Sequence, residues 1–498
     1  MEKYDIAIIG AGPAGFAAAM RAIDFNKHVC LIEKNAVGGA GVLFGALTSK
    51  TMWHLSLDYS IAARTDRGFR ASGLSINFKE VIKTVRSAAK QKIFQIKSQL
   101  ETLAPGKFTD KSITLKHGHA RFLDNYTLEI ENAGKTEKIQ AEFFIIATGS
   151  RPRLYPGIEI DHEHIITSDD ILRLKDFPEK MIIIGSGIIG TEYATIFSNF
   201  RQTEVHLLDR QHRVIPFEDE DVSDFVSRNL EENGVIIHHT ANLRELKKNS
   251  DGLLEVILDY QDGHSQVLEV DTALISIGRV PNTDDLGLEN VGIIPNQRGY
   301  LEVDDTLMVQ SRKGYENIFA AGDVTGASQL YSIAEHQGRF AVRAIYKKIS
   351  YPFSIYNLPT LMFFKPELAA VGLNEKQLRE KKIPYKMVFY SNELINRAIT
   401  MRNTNGFIKI LASDDGEERI LGMRAAGPQA SAFIVSIAHM MNQKNSLDQI
   451  LRTIHPHPSI TEGIQDCLRV LKGKSLYKPY AFPHLIHTRT WHPQEEAN

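Results

Sequence analysis

The sequence predicts an α/β chain built on two doubly wound, Rossmann-like units, and three observations carry that prediction. An apolar run, Ile6 to Ile9, leads into Gly10-Ala11-Gly12-Pro13-Ala14-Gly15 and an alanine-rich helical stretch. A second run, Met181 to Ile184, leads into Gly185-Ser186-Gly187-Ile188-Ile189-Gly190. Each is followed by another apolar stretch closed by a carboxylate, Glu33 after His28 and Asp209 after Glu204 to Leu208. With 498 residues, the chain is long enough for about three domains.

Each glycine of the first turn has its own task. Gly10 permits the tight turn, Gly12 lets backbone amides approach a pyrophosphate at a helix N-terminus, and Gly15 allows close helix-to-strand packing. Pro13 and Ala14 complete the turn; Glu33, about 20 residues on, is placed to accept hydrogen bonds from a ribose hydroxyl, with Lys34 beside it. From Asn77 to Leu103 the period changes to that of a helix: Phe78, Val81, Ile82, Val85, Ala89, Ile93, Ile96 and Leu100 recur at three- and four-residue steps, a face expected to pack on the first unit. Strands follow around Ser112 to Leu115, Ala120 to Phe122 and Thr127 to Ile130.

Gly185, Gly187 and Gly190 repeat the turn chemistry, with Ile188 and Ile189 entering the second helix. A carboxylate at Asp209 suits the two free ribose hydroxyls of NADH and repels the extra phosphate of NADPH. Arg210 and Arg213 pull the other way, and NADH is favoured.

Composition excludes several classes. A net charge of −2 gives no bulk electrostatic case for nucleic acid or an acidic membrane surface. No uninterrupted apolar run of about 18 residues argues for membrane insertion, and no charged-then-apolar leader opens the chain, so a cytoplasmic enzyme is expected. Two cysteines, Cys30 in a strand and Cys467 on a helix, cannot build a disulfide framework.

The stretch Gly38-Gly39-Ala40-Gly41-Val42-Leu43-Phe44-Gly45-Ala46-Leu47-Thr48-Ser49-Lys50 resembles the FAD-dependent pyridine nucleotide-disulfide oxidoreductases, such as dihydrolipoamide dehydrogenase and glutathione reductase. Their segment reads Gly-Gly-Thr-Cys-x-x-x-Gly-Cys-x-Pro-Ser-Lys, and its two cysteines form a redox disulfide beside the flavin. Here Gly41 and Ala46 stand at the cysteine positions and Thr48 at the proline, so the dithiol relay is absent. Further matches run through most of the chain: Glu142 to Pro152, with Thr148 and Gly149; Ile275 to Asn282, with Gly278; Asn317 to Val324, with Asp323; and a segment, Ile454 to Glu462, resembling His-Pro-Thr-x-x-Glu.

The resemblance implies FAD in the first fold, held by Gly10, Gly12, Pro13, Ala14, Gly15, Glu33, Lys34, Gly39, Lys50, Thr148, Gly149 and Asp323. It implies NAD(P)H in the second, held by Gly185, Gly187, Ile188, Ile189, Gly190, Glu192, Asp209 and Gly278. Glu192 matches the glutamate that pairs with the lysine at Lys50, a cation suited to stabilising negative charge on the flavin. His457 with Glu462 matches the family's catalytic pair. The implied domains are FAD-binding, 1–153 and 280–350; NAD(P)-binding, 154–279; and an α+β dimerisation domain, 351–471, making a homodimer; the remaining extension, 472–498, departs from the family and is expected to clasp the dimer, with disorder as the alternative. His484, His487 and His492 in that extension lack accompanying cysteines or ordered carboxylates, and no metal is assigned.

Without the two sulfurs, the side of the flavin that the disulfide would drain has room for another acceptor unless Leu43, Phe44 or Trp53 fills it. The expected reaction passes hydride from NADH to flavin and then directly to a non-thiol acceptor, a quinone-like carrier or a second nicotinamide, with His457 as proton donor. The alternative is a flavin-bearing scaffold or redox-responsive binding protein without disulfide reductase turnover.

Overall fold

Both apolar runs become buried parallel strands, as their unbroken hydrophobicity requires: strands covered on two faces have no polar side to show. The computed structural model describes residues 1–107, 111–347, 349 and 351–493. It contains two compact units, one of residues 1–178 with 271–354 and one of residues 179–270 with 355 onward.

In the first unit, β1 (Glu2–Ile9) lies between β2 (Val29–Glu33) and β6 (Lys135–Ile146), with Ile6, Ala7 and Ile8 completely buried. β3 (Ile113–His117) extends the sheet beyond β2. The C-terminal half of β6 takes β17 (Ile318–Ala320) as a parallel neighbour. Its N-terminal half turns back on β5 (Thr127–Asn132), which pairs with β4 (His119–Asp124). The helices are α1 (Pro13–Asp24), α2 (Gly39–Leu43), α3 (Ala46–Ala62), α4 (Phe78–Thr102) and α7 (Tyr331–Tyr346).

Asn77 caps α4 by accepting the Glu80 N–H at 3.2 Å, and Phe78, Ile82, Val85, Ala89, Ile96 and Leu100 form its buried face. Ile96 and Leu100 join the core around Ile6 and Ile8, as the periodicity implied. Two short antiparallel or parallel pairs complete the unit: β7 (Ser150–Pro152) with β16 (Arg279–Pro281), and β8 (Ile165–Thr167) with β15 (Thr272–Ile275).

In the second unit, β10 (Glu204–Leu208) lies between β9 (Lys180–Ile184) and β11 (Ile236–His238), with α5 (Ile188–Phe200) and α6 (Glu220–Glu232) as the connecting helices. A meander follows: β12 (Ala241–Lys248), β13 (Leu254–Tyr260) and β14 (Ser265–Val270).

The C-terminal sheet contains β18 (Thr360–Met362), β19 (Leu368–Gly372), β20 (Tyr385–Ser391), β21 (Phe407–Ser413), β22 (Ile420–Ala426) and β23 (Ile486–Trp491), in the order β18-β19-β22-β21-β20-β23. Helices α8 (Glu375–Glu380), α9 (Asn396–Thr400), α10 (Ala430–Asn442), α11 (Leu447–Leu451) and α12 (Glu462–Leu471) accompany it.

Within the extension, residues 486–491 form a strand of their own chain's sheet. β23 pairs with β20 from Tyr385↔Trp491 to Tyr390↔Ile486, and Trp491 stacks on Tyr385 at 5.7 Å between ring centroids. Its apolar ends, Ile486 and Trp491, are buried while the four residues between them are exposed, the pattern of an edge strand. Among the described residues no helix is long and apolar enough to cross a membrane.

Candidate functional site

The first glycine turn is fixed by backbone contacts that leave no space for side chains. Gly10 has φ +105°, and a Cβ there would lie 2.4 Å from the Ala147 carbonyl oxygen. A Cβ on Gly15 would lie 1.8 Å from Gly10 O, and one on Gly39 2.8 Å from Gly12 Cα. The turn and the Gly38–Gly41 segment therefore meet backbone to backbone at Gly12 and Gly39, and the Gly38 N–H donates to Ala11 O at 2.9 Å. No side chain caps α1 at Gly12, and Pro13 takes its first position, so the helix-end amides remain for an anion. Glu33 is buried; one carboxylate oxygen accepts the Ala11 N–H at 2.8 Å and the other the Asn35 N–H at 2.8 Å. Lys34, next to it, is exposed.

Three segments distant in sequence close the same fold. Thr148 donates to Asn282 O at 2.6 Å, Asn282 donates back to Thr148 O at 2.9 Å, and the Asn282 N–H reaches Gly149 O at 3.0 Å. Arg279 donates to Ser150 Oγ and Ser150 O, each at 2.8 Å, and Ser150 Oγ donates to Asp323 at 2.6 Å. Burial pushes the Asp323 carboxyl above its ordinary range, opposed by Ser150 and Arg279. Gly278, at φ +106°, turns β15 into β16 and accepts the Arg153 N–H. Gln337, completely buried on α7, accepts the Gly322 N–H at 2.7 Å and so fixes the approach to Asp323. A glycine cradle, uncapped helix amides and a held carboxylate suit the phosphates and hydroxyls of FAD.

The region of the missing disulfide is occupied. A Cβ on Gly41 would lie 2.7 Å from Cδ2 and 3.1 Å from Cε2 of Tyr331. The side expected to be open, or filled by Leu43, Phe44 or Trp53, is filled at Gly41 by a ring from another helix. Thr48, at the family's proline position, is buried with its hydroxyl lacking a hydrogen-bond partner among the described residues. Lys50 lies one turn into α3.

At the second turn, Gly185 has φ +111° and Gly187 begins α5 with no side-chain cap and open space where a Cβ would stand. Ile188 and Ile189 are half-buried and Gly190 buried in the first turn of α5. Asp209, 1% exposed, accepts from Ser186 Oγ at 2.8 Å and the Gln211 N–H at 3.0 Å through one oxygen. Its other oxygen lies 3.5 Å from His239 Nδ1. Arg213 is spent on α6, at 2.8 Å from Asp224 and 3.4 Å from Glu220, whereas Arg210 is exposed. Glu192, buried on α5, accepts the Phe363 N–H at 3.1 Å.

His457 and Glu462 are brought together: Nδ1 and Oε1 lie 2.8 Å apart, and the second carboxylate oxygen accepts the Ser459 N–H at 2.9 Å. Burial works to raise the Glu462 carboxyl, but the Ser459 amide and His457 outweigh it and leave it below its ordinary value. His455 is held below the usual imidazole range by burial, which suits a structural part. Cys30 and Cys467 are both buried, and burial pushes each thiol well above its ordinary value, so neither is a ready nucleophile.

Tyr331, Gln337 and Gly338 escaped the sequence reading. Their only signal was position, at the start and in the second turn of the helix that follows Asp323.

The family model described as pyridine nucleotide-disulphide oxidoreductase matches residues 4–338, and that family's dimerisation domain matches residues 358–467. The soluble pyridine nucleotide transhydrogenase of Marinobacter nauticus is 36% identical over 470 residues, covering 93% of this chain and 96% of that protein. The protein of the same name from Pseudomonas aeruginosa is 35% identical over 468 residues, with coverage of 93% and 96%. Among solved structures, the flavoprotein disulfide reductase RclA from Escherichia coli superposes with a TM-score of 0.83 at 27% identity, covering 95% of this chain and all of that one. LpdA from Mycobacterium tuberculosis gives the same TM-score, identity and coverage. The chain belongs to the pyridine nucleotide-disulphide oxidoreductase family: it is an FAD- and NAD(P)H-dependent oxidoreductase that carries the family's dimerisation domain and lacks its cysteine pair.

Proposed function

We propose that this enzyme is a soluble pyridine nucleotide transhydrogenase, moving hydride from one nicotinamide nucleotide to another without a dithiol. The observation that carries the reading is Gly41 with the Tyr331 ring against it, which leaves neither a sulfur nor open space at that end of the disulfide position. The name shared by its transhydrogenase relatives favours a second nicotinamide over a quinone as acceptor. Bound FAD supplies the hydride relay. Gly10, Gly12, Pro13, Ala14, Gly15, Gly39, Thr148, Gly149 and Asp323 would hold it, Glu33 and Lys34 would border its ribose, Lys50 would supply the cation the family places beside its ring, and Glu192 is the family's matching carboxylate. Gly185, Gly187, Ile188, Ile189, Gly190 and Asp209 bind the nucleotides, and Gly278 shapes the return strand. The three-domain division and 472–498 extension inferred above accompany a cytoplasmic homodimer.

Both nucleotides then use the second glycine turn in succession. NADPH + NAD⁺ → NADP⁺ + NADH balances with hydride alone, so the reaction needs no net proton. Anaerobic mixing of the holoenzyme with NADPH and thio-NAD⁺ is expected to give rapid thionicotinamide reduction; turnover with quinones or dithiols but none with oxidised nicotinamides would overturn the reading.

The proton balance separates the roles of His457. His457→Gln is expected to leave nucleotide-to-nucleotide transfer within about twofold while slowing quinone reduction, which consumes protons, by about 100-fold, the lower range for general acid catalysis. Parallel kcat measurements with the two acceptors check this. At the nucleotide turn, Arg210→Ala is expected to raise the KM for NADPH about tenfold, the worth of one charge-assisted phosphate contact, and that for NADH less than twofold. Equal changes for both would remove Arg210 from phosphate recognition.

A further inference from the structure

We propose that Tyr331 stands in for the missing disulfide, as the positioning residue that closes this side of the flavin site to thiol chemistry. The inference deepens the transhydrogenase reading and rests on its assignment of FAD to the first fold.

The steric case begins at Gly41. Its built Cβ falls 2.7 Å and 3.1 Å from two ring carbons of Tyr331 and 3.2 Å from Pro13 Cγ. A cysteine would carry its sulfur a further bond out, so the residue at 41 and the ring compete for one volume. A side chain at 41 is admitted only if the ring leaves.

The ring has little freedom to leave by moving its backbone. Tyr331 is the first residue of α7, and α7 is seated on α1 at Gly338, where even a Cβ would come within 2.0 Å of Ala14 O. In the second turn of α7, Gln337 holds the Gly322 N–H and so ties the helix to the Asp323 segment. Tyr331 therefore stands between two FAD-holding parts, the Pro13 end of the glycine turn and the helix that follows Asp323. Burial and Glu335 raise its hydroxyl above the ordinary value, so it stays neutral in the working range.

Glycine at 41 and tyrosine at 331 thus form one device. The glycine gives up the redox group, and the aromatic ring takes its volume, supplying a rigid apolar wall where a dithiol would otherwise exchange.

The test restores the cysteines with and without the ring. Holoenzymes carrying G41C/A46C, G41C/A46C/Y331A and G41C/A46C/Y331F are exposed to oxidised glutathione, then denatured for thiol titration and intact mass; the flavin absorbance of each confirms folding beforehand. G41C/A46C and G41C/A46C/Y331F are expected to keep both introduced thiols unpaired with each other, and G41C/A46C/Y331A to lose two titratable thiols and two hydrogens in mass. A disulfide formed with Tyr331 in place would overturn the proposal, as would its absence in all three. Failure of NADPH-to-thio-NAD⁺ transfer in the unsubstituted enzyme would sink the transhydrogenase reading and leave the thiol result standing.

Discussion

A Gly338→Ala variant is expected to purify nearly colourless, with FAD retention reduced at least tenfold and stability lowered by about 3 kcal/mol, the upper range for overpacking. The added methyl would lie 2.0 Å from Ala14 O, 2.9 Å from Ala14 C and 3.2 Å from Ala14 Cα. These are backbone atoms of a buried helix, so no rotamer change relieves the clash; α1 and α7 must separate. Separation displaces the two ends that matter together, since α1 begins at the Gly12 amides and α7 carries both Tyr331 and the Gln337 that holds Gly322. The ratio of flavin to protein absorbance and a thermal melt measure the two effects. His336→Ala, on the exposed side of the same helix, is the control expected to keep its flavin. A yellow Gly338→Ala protein with an unchanged melt would mean that the helices tolerate separation.

Gly338 also shows where sequence reading stopped. Gly10, Gly15 and Gly185 were legible because a positive φ or a close backbone approach leaves a residue-type signature at a fixed distance from an apolar run. Glu33 and Asp209 were legible by the same spacing, although each is now seen to spend its carboxylate on the turn itself, on Ala11 N–H and on Ser186 Oγ. The His457–Glu462 pair was found by resemblance, and the structure places the two side chains in hydrogen-bond contact. Gly338 and Tyr331 had no such signature. Their significance lies in what packs against them, Ala14 and Gly41, some 300 residues away in sequence, and no local period records a pairing of that kind. The strand in the extension left no sequence signal for a related reason: only the ends of Ile486–Trp491 are apolar, and the segment is fixed by its pairing with β20.

Replacement of Lys409, in the middle of β21, carries the other large expected effect. Every residue of β21 is buried, and Lys409 is 1% exposed. Its ammonium lies 2.9 Å from Asp219, 2.7 Å from Asp221 and 2.7 Å from Glu375. Burial alone would pull its pKa down; the three carboxylates reverse this and hold it above the ordinary value. Burial likewise works to raise Asp219 and Glu375, and Lys409 outweighs it, leaving both below the usual carboxylate range. Lys409→Met keeps the apolar stem but leaves three clustered carboxylates without their cation, which costs about 3–5 kcal/mol and about 10 °C in melting temperature. The sign with pH follows from linkage. Carboxyls depressed in the folded state contribute stability present above their unfolded pKa and lost as pH falls through the folded one. The variant lacks that contribution, and its carboxylates take up protons more readily, so its deficit is largest at pH 7 and shrinks towards pH 5. Melts of both proteins at the two pH values measure it; a deficit of the same size at pH 7 and pH 5 would show that Lys409 contributes by packing rather than by charge.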